Sequence, residues 1–494
     1  MPRLRHLCNT SGVATVNSPD QPKYREVYAR IRDSILTEQV RPGGRLASSR
    51  RLAEQLGVAR ATVEQAFDQL VLEGLIVRQT GRGTFVADRV PHLPRGVAPL
   101  SERPTHPAIL SCRGTALLSA GVALGADVAR GFAPCVPGRD TFPMHVWNKL
   151  AHSQARRHGR HLAGGGELGG LPELREAIAV HLGSSRGVRC APEQVFILSS
   201  TQQALDVTAR LLLDPGETVW IEDPGYLGAR SALLAAGVQL VPVAVDEQGL
   251  QVQQGEHAAP HARLAFVTPS HQYPLGVTLS LARRKALLEW ARRAGSWVFE
   301  DDYDSEFRYD GRPLAALQGL GPERVLYAGS FNKVLFPGVR LAYLVVPPAL
   351  AGPLLAARQV MDGPPPSLTQ ATLAAFIASG AFTSHLHRLR GLYRERRDAL
   401  LTAAQDLPEW AVLRPTDAGM HATLLFENGL DDVPLSYAAA AWALDVPPLS
   451  RYFLGQAPTQ RGLVVGFGAM MPESIAQGMK VLGRVLGEAH LEVR

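Results

Sequence analysis

Apolar residues recur at different spacings along the 494-residue chain, and the changes of spacing divide it. Residues 1–20 show no periodicity and read as a flexible tail. From 21 to 88 the pattern predicts helices followed by a hairpin. Val27, Ile31 and Ile35 repeat every four residues, as one face of a first helix does. Pro42-Gly43-Gly44 stops that helix and turns the chain. Ser48 or Ser49 can cap a second helix carrying Leu52, Ala53 and Leu56, which Gly57 ends. A third helix places Val63, Ala66, Phe67, Leu70 and Val71 on one face and closes at Gly74. Leu75-Ile76-Val77 and Thr84-Phe85-Val86 then flank a glycine-bearing tip, Gln79 to Gly83.

Residues 89–112 contain Pro91, Pro94, Pro99, Pro104 and Pro107 and read as a semi-extended linker. From 113 to 494, helical stretches alternate with short apolar runs: Gln194–Ile197, Thr218–Ile221, Leu264–Val267, Trp297–Phe299 and Val325–Tyr327. That alternation predicts an α/β domain on a parallel sheet covered on both faces. The chain thus reads as an N-terminal winged helix-turn-helix joined by a linker to a large α/β domain.

Composition adds little to this picture. An apolar share of 46% and a charged share of 19% are ordinary for a globular protein. No apolar run is long enough for a membrane span, and Met1-Pro2-Arg3-Leu4-Arg5 leads into no apolar core of a secretory signal, so a cytoplasmic protein is expected. Cys8, Cys112, Cys135 and Cys190 are scattered without metal-ligand spacing. His152, His158 and His161 lie close together but lack carboxylate or thiolate partners, so no metal is expected. The net charge of +6 permits a polyanionic partner without requiring one.

Two sets of residues carry candidate chemistry. In the first, the helices joined through Gly57-Val58-Ala59 fit a DNA-reading pair. Arg60 and Thr62 start the recognition helix, where Arg60 can grip phosphate or guanine. Arg50 and Arg51 begin the preceding helix, whose N-terminus already attracts phosphate. Arg82, held between Gly81 and Gly83, can enter a minor groove. A small helical module that binds protein remains the bland alternative.

The second set suits pyridoxal 5'-phosphate, which needs an amine, an anion for its ring nitrogen, a phosphate cradle and a ring platform. Lys333, in Gly329-Ser330-Phe331-Asn332-Lys333, supplies the amine and is the candidate catalytic residue. Asp301 is the carboxylate for the ring nitrogen, and Tyr303 can donate to the ring's phenolate oxygen. Ser199, Ser200 and Thr201 open a helix and can cup phosphate with Arg340. Tyr226 is the aromatic plate. Taken singly, a lysine is usually a solvated surface residue and an acidic run usually a polar loop.

The combination narrows the reading. Arg41-Pro42-Gly43, Leu46-Ala47-Ser48-Ser49-Arg50, Leu72-Glu73-Gly74 and Gly81-Arg82-Gly83-Thr84-Phe85-Val86 resemble a GntR-type winged helix. Asp301, Lys333 and Arg340 with the Ser/Thr helix start resemble a fold-type I aminotransferase. Glu222–Tyr226, Thr268–Pro274 and Glu300–Phe307 bring the chain closest to the MocR/GabR subfamily of GntR regulators, from about residue 21 onward. The resemblance implies a head-to-tail homodimer with cofactor sites at its interface and an operator of double-stranded DNA with two half-sites. It adds Tyr273 and Ser330 to the cofactor set. It also implies a small-molecule effector, either pyridoxal phosphate or an amine or amino acid, sensed through an aldimine on Lys333.

Several positions depart from that pattern. Ala47 and Ala59 replace a Pro and a Ser or Thr, the second removing a helix cap. Gly165 stands where a partner-facing Tyr is common, Ser200 where Gly is, and Asn332 where Ser precedes the lysine. Gly228 occupies the place of an effector-binding Arg, and Leu463–Phe467 lacks the Arg that grips substrate carboxylates. Arg230 and Arg451 are candidate substitutes. The expectation is a regulator whose aminotransferase-like domain is a sensor, weighted toward pyridoxal phosphate itself. Two alternatives stand beside it: a working aminotransferase carrying a DNA-binding domain, and a repressor whose large domain only dimerises.

Overall fold

A computed structural model describes residues 23–88, 109–119, 131–138, 141–309, 314–414, 416–454 and 458–492. The expected tail at 1–20 and the prolines of the expected linker lie outside the described residues. The chain divides into two compact units between Ile109 and Leu110.

The first unit contains α1 (Lys23–Leu36), α2 (Ser49–Leu56), α3 (Arg60–Leu72), β1 (Ile76–Gln79) and β2 (Gly83–Val86). Val27, Ile31 and Ile35 pack with Leu52, Val63, Phe67 and Leu70 into one small core. The Ser48 side chain accepts from the Arg51 amide and caps α2, and Gly57, at φ 63°, ends it in the left-handed conformation that favours glycine. Ala59 sits at the N-cap of α3 with no side-chain bond, as its missing hydroxyl dictates. Val71, expected on the buried face, is instead 39% exposed. It lies about 100° round the helix from the fully buried Leu70, at the solvent side of the stripe formed by Val63, Ala66, Phe67 and Leu70. The hairpin gains a third, short partner that the apolar pattern did not reveal. Gly43 and Leu46 donate to the carbonyls of Val86 and Thr84, and Val86 donates back to Gly44.

In the second unit, α4 (Cys112–Ser119), α5 (Met144–Leu162) and α6 (Pro172–Arg186) precede the first strand, β3 (Val195–Leu198). Then follow α7 (Thr201–Leu212), β4 (Thr218–Asp223), α8 (Leu227–Ala236), β5 (Gln239–Asp246), β6 (Gly249–Leu250) and α9 (Val252–Ala258). The chain continues through β7 (Leu264–Val267), α10 (Leu281–Ala294), β8 (Trp297–Asp302), β9 (Val325–Ser330) and β10 (Ala342–Val345). Next come α11 (Pro348–Met361), α12 (Ser367–Ala378), α13 (Ala381–Ala403), β11 (Ala411–Leu413) and β12 (His421–Phe426). The last elements are α14 (Asp432–Ala441), β13 (Gly462–Gly466) and α15 (Pro472–Glu492).

Eight strands form one sheet in the order β3-β10-β9-β8-β7-β4-β5-β6. The expectation of an all-parallel sheet needs correction. The strands β5, β4, β7, β8 and β9 are parallel, but β10 runs antiparallel to both of its neighbours and β6 antiparallel to β5. The physical reason is the connection. The chain returns from Ser330 to Ala342 without a crossover helix, so β10 must come back beside β9 in the opposite sense. Apolar cores line both sheet faces, one around Phe196, Phe266 and Phe299 and another around Trp220 and Trp290, whose rings stack at 3.7 Å. A separate antiparallel sheet, β11-β12-β13, shares one hydrophobic core with α13, α14 and α15. The sequence pattern did not distinguish it from the main sheet.

This topology decides where chemistry can occur. In an open parallel sheet, ligands bind at the carboxyl ends of the strands. Here Ser199–Thr201 follow β3, Tyr226 follows β4, Thr268–Tyr273 follow β7, Asp301 is the last residue but one of β8, and Lys333 follows β9. Arg340 precedes the antiparallel β10, so it too lies at that edge.

Candidate functional site

The carboxylate run at the end of β8 sorts its members by strand alternation. Glu300 accepts from the amides of Leu317 and Gln318, both at 2.8 Å. Asp302 pairs with Arg186 at 2.9 Å and accepts from the Tyr327 hydroxyl at 2.5 Å. Asp301 points to the other face, is 5% exposed, and its Oδ1 has no hydrogen-bond partner. Burial first, then the nearby charges of Asp302, Asp304 and Glu222, push its carboxyl up to about 8, against a smaller opposing pull from Lys333. Buried acceptors are normally satisfied, so this one is an opening for a donor.

Lys333 sits in a turn anchored by the buried Phe331 and Val334. Its Nζ donates to the Cys135 carbonyl at 2.6 Å. Cys135 itself has φ 58°, a left-handed backbone rare for a residue with a side chain. Asn332 has a local explanation: its Oδ1 accepts from the Leu341 amide at 3.2 Å, tying the lysine turn to the chain beside Arg340. Ser330 Oγ accepts from the Asn332 amide at 3.2 Å.

Ser200 is the N-cap of α7, its hydroxyl accepting from the Gln203 amide. The Ser199 amide and hydroxyl both donate to Gln203 Oε1, at 2.7 and 2.9 Å. So Gln203 holds the donors assigned to phosphate, leaving first-turn amides that have no intrahelical acceptor. Arg340 is exposed in a left-handed conformation at φ 49°.

Four tyrosines pack against one another at the site. Tyr226 and Tyr273 meet edge to face at 6.1 Å, Tyr273 meets Tyr303 likewise at 6.1 Å, and the Tyr273 and Tyr452 hydroxyls are 3.0 Å apart. Burial raises all four phenols, so they remain protonated donors at neutral pH. A Cβ on Gly228 would lie 2.4 Å from the Tyr226 ring, so the glycine is what lets that ring settle over the first turn of α8.

Among the described residues, the arginines beside the missing positions are committed to different extents. Val464 is fully buried among Leu227, Leu275, Val277 and Leu449. Arg461 is committed to Asp431 and Asp432, at 3.1 and 3.4 Å. The Arg230 guanidinium donates to the Phe453 carbonyl at 3.4 Å and keeps its Nε without a partner, while Arg451 lies in the Leu449–Tyr452 turn. Cys135, Glu222, His271, Asp304, His421 and Tyr452 were not assigned roles from the sequence. His271 and Asp304 lay inside quoted motifs, but nothing in one sequence indicated that they meet at 2.9 Å.

At the other end, Arg50, Arg51, Arg60 and Arg82 are all exposed and Thr62 is half-buried. Arg60 Nε donates to Ser49 Oγ at 3.3 Å and lies 3.7 Å from Glu64. Gly83, at φ 119°, lies under the guanidinium of Arg45, a wing cation that the sequence reading passed over.

Comparison with known proteins supports both ends. The family model for aminotransferase class I and II matches residues 137–437, and that for bacterial regulatory proteins of the gntR family matches 23–86. The probable rhizopine catabolism regulatory protein MocR of Rhizobium meliloti is 38% identical, over 94% of this chain and 93% of its own length. The pyridoxine biosynthesis transcriptional regulator PdxR of Corynebacterium glutamicum is 34% identical, over 88% of this chain and 91% of its own. Among solved structures, the α-aminoadipate aminotransferase LysN of Thermus thermophilus, complexed with N-(5'-phosphopyridoxyl)-L-leucine, aligns with TM-score 0.68 and 28% identity. That alignment covers 78% of this chain and 96% of LysN.

Proposed function

The chain belongs to the MocR/GabR subfamily of GntR-type regulators, and from that premise we propose a DNA-binding transcriptional regulator that senses through a pyridoxal phosphate site centred on Lys333. The observation that carries the reading is the buried, unpartnered Oδ1 of Asp301, at the same strand edge as Lys333. A protonated ring nitrogen is the donor that oxygen lacks.

The residues present fit the cofactor. Asp301 would pair with the ring nitrogen, Tyr226 cover the ring, and Tyr303 donate to its phenolate oxygen. The Ser200 hydroxyl and the free amides that open α7 at Thr201, with Arg340, would hold the phosphate, aided by Ser330, and Ser199 would join them by leaving Gln203. Tyr273 would orient the ring edge. Bound pyridoxal phosphate supplies an aldehyde that condenses reversibly with primary amines, Lys333 first among them. Cofactor or amine binding can alter DNA affinity only by favouring one arrangement of the protein over another. A homodimer, reading two half-sites, is the assembly this mechanism requires.

The effector class follows from what surrounds Val464. An amino-acid carboxylate would lack the arginine usual at that position, which forfeits a charge-assisted bond worth about 1.5–3 kcal/mol unless Arg230, whose Nε has no partner, turns to it. Pyridoxal phosphate itself, or an amine without that carboxylate, fits better. A relative named for pyridoxine biosynthesis supports the first. A working aminotransferase is the competing reading. Sustained conversion of any amino donor and keto acid pair by the purified protein would favour it; the sensor reading expects none.

Two results are expected here. Gly228→Ala drives a methyl into the Tyr226 ring, whose tip is the free end of a side chain and swings away. Fold stability changes little, but a stacking contact of about 1 kcal/mol is lost, lowering cofactor affinity roughly fivefold in a fluorescence titration. Arg60→Ala weakens specific DNA binding by about 1–3 kcal/mol, measured by anisotropy against nonspecific DNA at one salt concentration. Equal loss on both DNAs would make Arg60 a phosphate contact rather than a base reader.

A further inference from the structure

Behind Tyr303 lies a buried trio that no step above uses. His271 Nδ1 is 2.9 Å from Asp304 Oδ2 and 3.1 Å from the Tyr303 hydroxyl, and its Nε2 is 3.1 Å from Thr416 Oγ1. The His271 and Asp304 residues are each 2% exposed. Gly419, at φ 81°, presses its backbone against both; a Cβ there would come within 2.1 Å of the imidazole and 2.5 Å of the carboxylate. The slot therefore has room for a glycine only, and the pair is held in one arrangement.

Proton counting narrows what each atom does. Thr416 has one hydroxyl proton and gives it to the Ala418 carbonyl at 2.5 Å, which can only accept. Toward His271, Thr416 is therefore an acceptor, and Nε2 carries a proton. Nδ1 faces an Asp304 oxygen at hydrogen-bond distance, so one further proton lies between them. With that proton on Nδ1, the imidazolium is paired with the Asp304 carboxylate, and the Tyr303 oxygen is its second acceptor. A tyrosine that accepts through its oxygen keeps its own proton to donate elsewhere, and accepting strengthens that donation. His421, whose ring is 4.9 Å from His271, is held well below its usual value by burial and by the His271 charge, so it adds no competing positive charge.

We propose that His271 and Asp304 are positioning residues that make Tyr303 a committed donor to the phenolate oxygen of bound pyridoxal phosphate, and so set the protonation form in which the cofactor rests. The inference depends on the cofactor reading above. A donor to the phenolate stabilises the anionic ring form over the neutral phenol, and the two forms absorb at different wavelengths. His271→Gln keeps the size of the side chain but cannot carry the charge.

The test loads the full-length protein with pyridoxal phosphate and reads the ratio of long- to short-wavelength bands at one pH. His271→Gln is compared with the unsubstituted protein, and again in a Tyr303→Phe background. The expected result is a shift of about tenfold toward the short-wavelength form, one unit in the ring oxygen's pKa, that disappears when Tyr303 is already Phe. An unchanged ratio, or the same shift in both backgrounds, overturns the proposal, because a structural role would not run through the hydroxyl. Asp304→Asn gives the same comparison should His271→Gln fail to fold. No band in the unsubstituted protein overturns the cofactor reading and this proposal with it.

Discussion

Lys333→Ala abolishes the long-wavelength absorbance that appears when pyridoxal phosphate is added, and cofactor affinity falls roughly a hundredfold or more, about 3 kcal/mol. The substitution removes one hydrogen bond, from Nζ to the Cys135 carbonyl, and the amine itself. It leaves the turn intact, because Phe331 and Val334 are each 4% exposed and pack with Tyr343 and Phe382 in the large core. The melting temperature should therefore stay within a few degrees of the parent, separating lost chemistry from lost fold. A Lys333→Ala protein with the parent spectrum would mean that the amine lies elsewhere.

Asp301→Asn has opposite effects on the empty and loaded protein. With cofactor, it replaces a buried carboxylate facing a cationic ring nitrogen by a neutral amide. The expected cost is about 2–3 kcal/mol, a roughly 30- to 150-fold loss of affinity. Without cofactor, the substitution stabilises. Burial above all pushes the folded carboxyl up to about 8 from its ordinary 3.8. Between those values the folded chain holds a proton that the unfolded chain has released. Stability from this group is thus complete below about 3.8 and lost as the pH rises through about 8. Asparagine has no charge to bury, so at pH 8 the empty variant should exceed the parent by on the order of 2 kcal/mol. Glu222 and Glu300, each pushed up to about 7 by burial, weaken both proteins alike as the pH rises from about 4.5 to about 7. Thermal melts from pH 5 to 8 check the sign. A variant less stable than the parent throughout would show that Asp301 is satisfied in the empty site.

The parts of this molecule legible in its sequence are those fixed by local spacing. The cap at Ser48, the stop at Gly57 and the bare start at Ala59 each depend on one residue and its own turn. The gathering of Asp301, Lys333 and Arg340 at one strand edge was legible because they stand in motifs whose spacing follows strand ends. The antiparallel β10 was not, since Ala342–Val345 reads like any fully buried strand and its direction is set by the connection before it. The Asp304–His271–Tyr303 arrangement was not legible either. Its proton count depends on Thr416 and Ala418, more than a hundred residues further along the chain. Val71 shows the converse limit: an apolar residue at helical spacing was assigned to the buried stripe but lies at its solvent edge, beside the fully buried Leu70.

The central claim is that occupancy at Lys333 is read out on DNA. The most direct measurement is the affinity of the full-length protein for a DNA fragment selected from its genome, at one salt concentration, with and without pyridoxal phosphate, beside Lys333→Ala. A change of at least about fivefold, a coupling of about 1 kcal/mol, is predicted for the parent and none for the variant. Equal DNA affinity in the parent with and without cofactor, while its absorbance reports the site filled, would contradict the account.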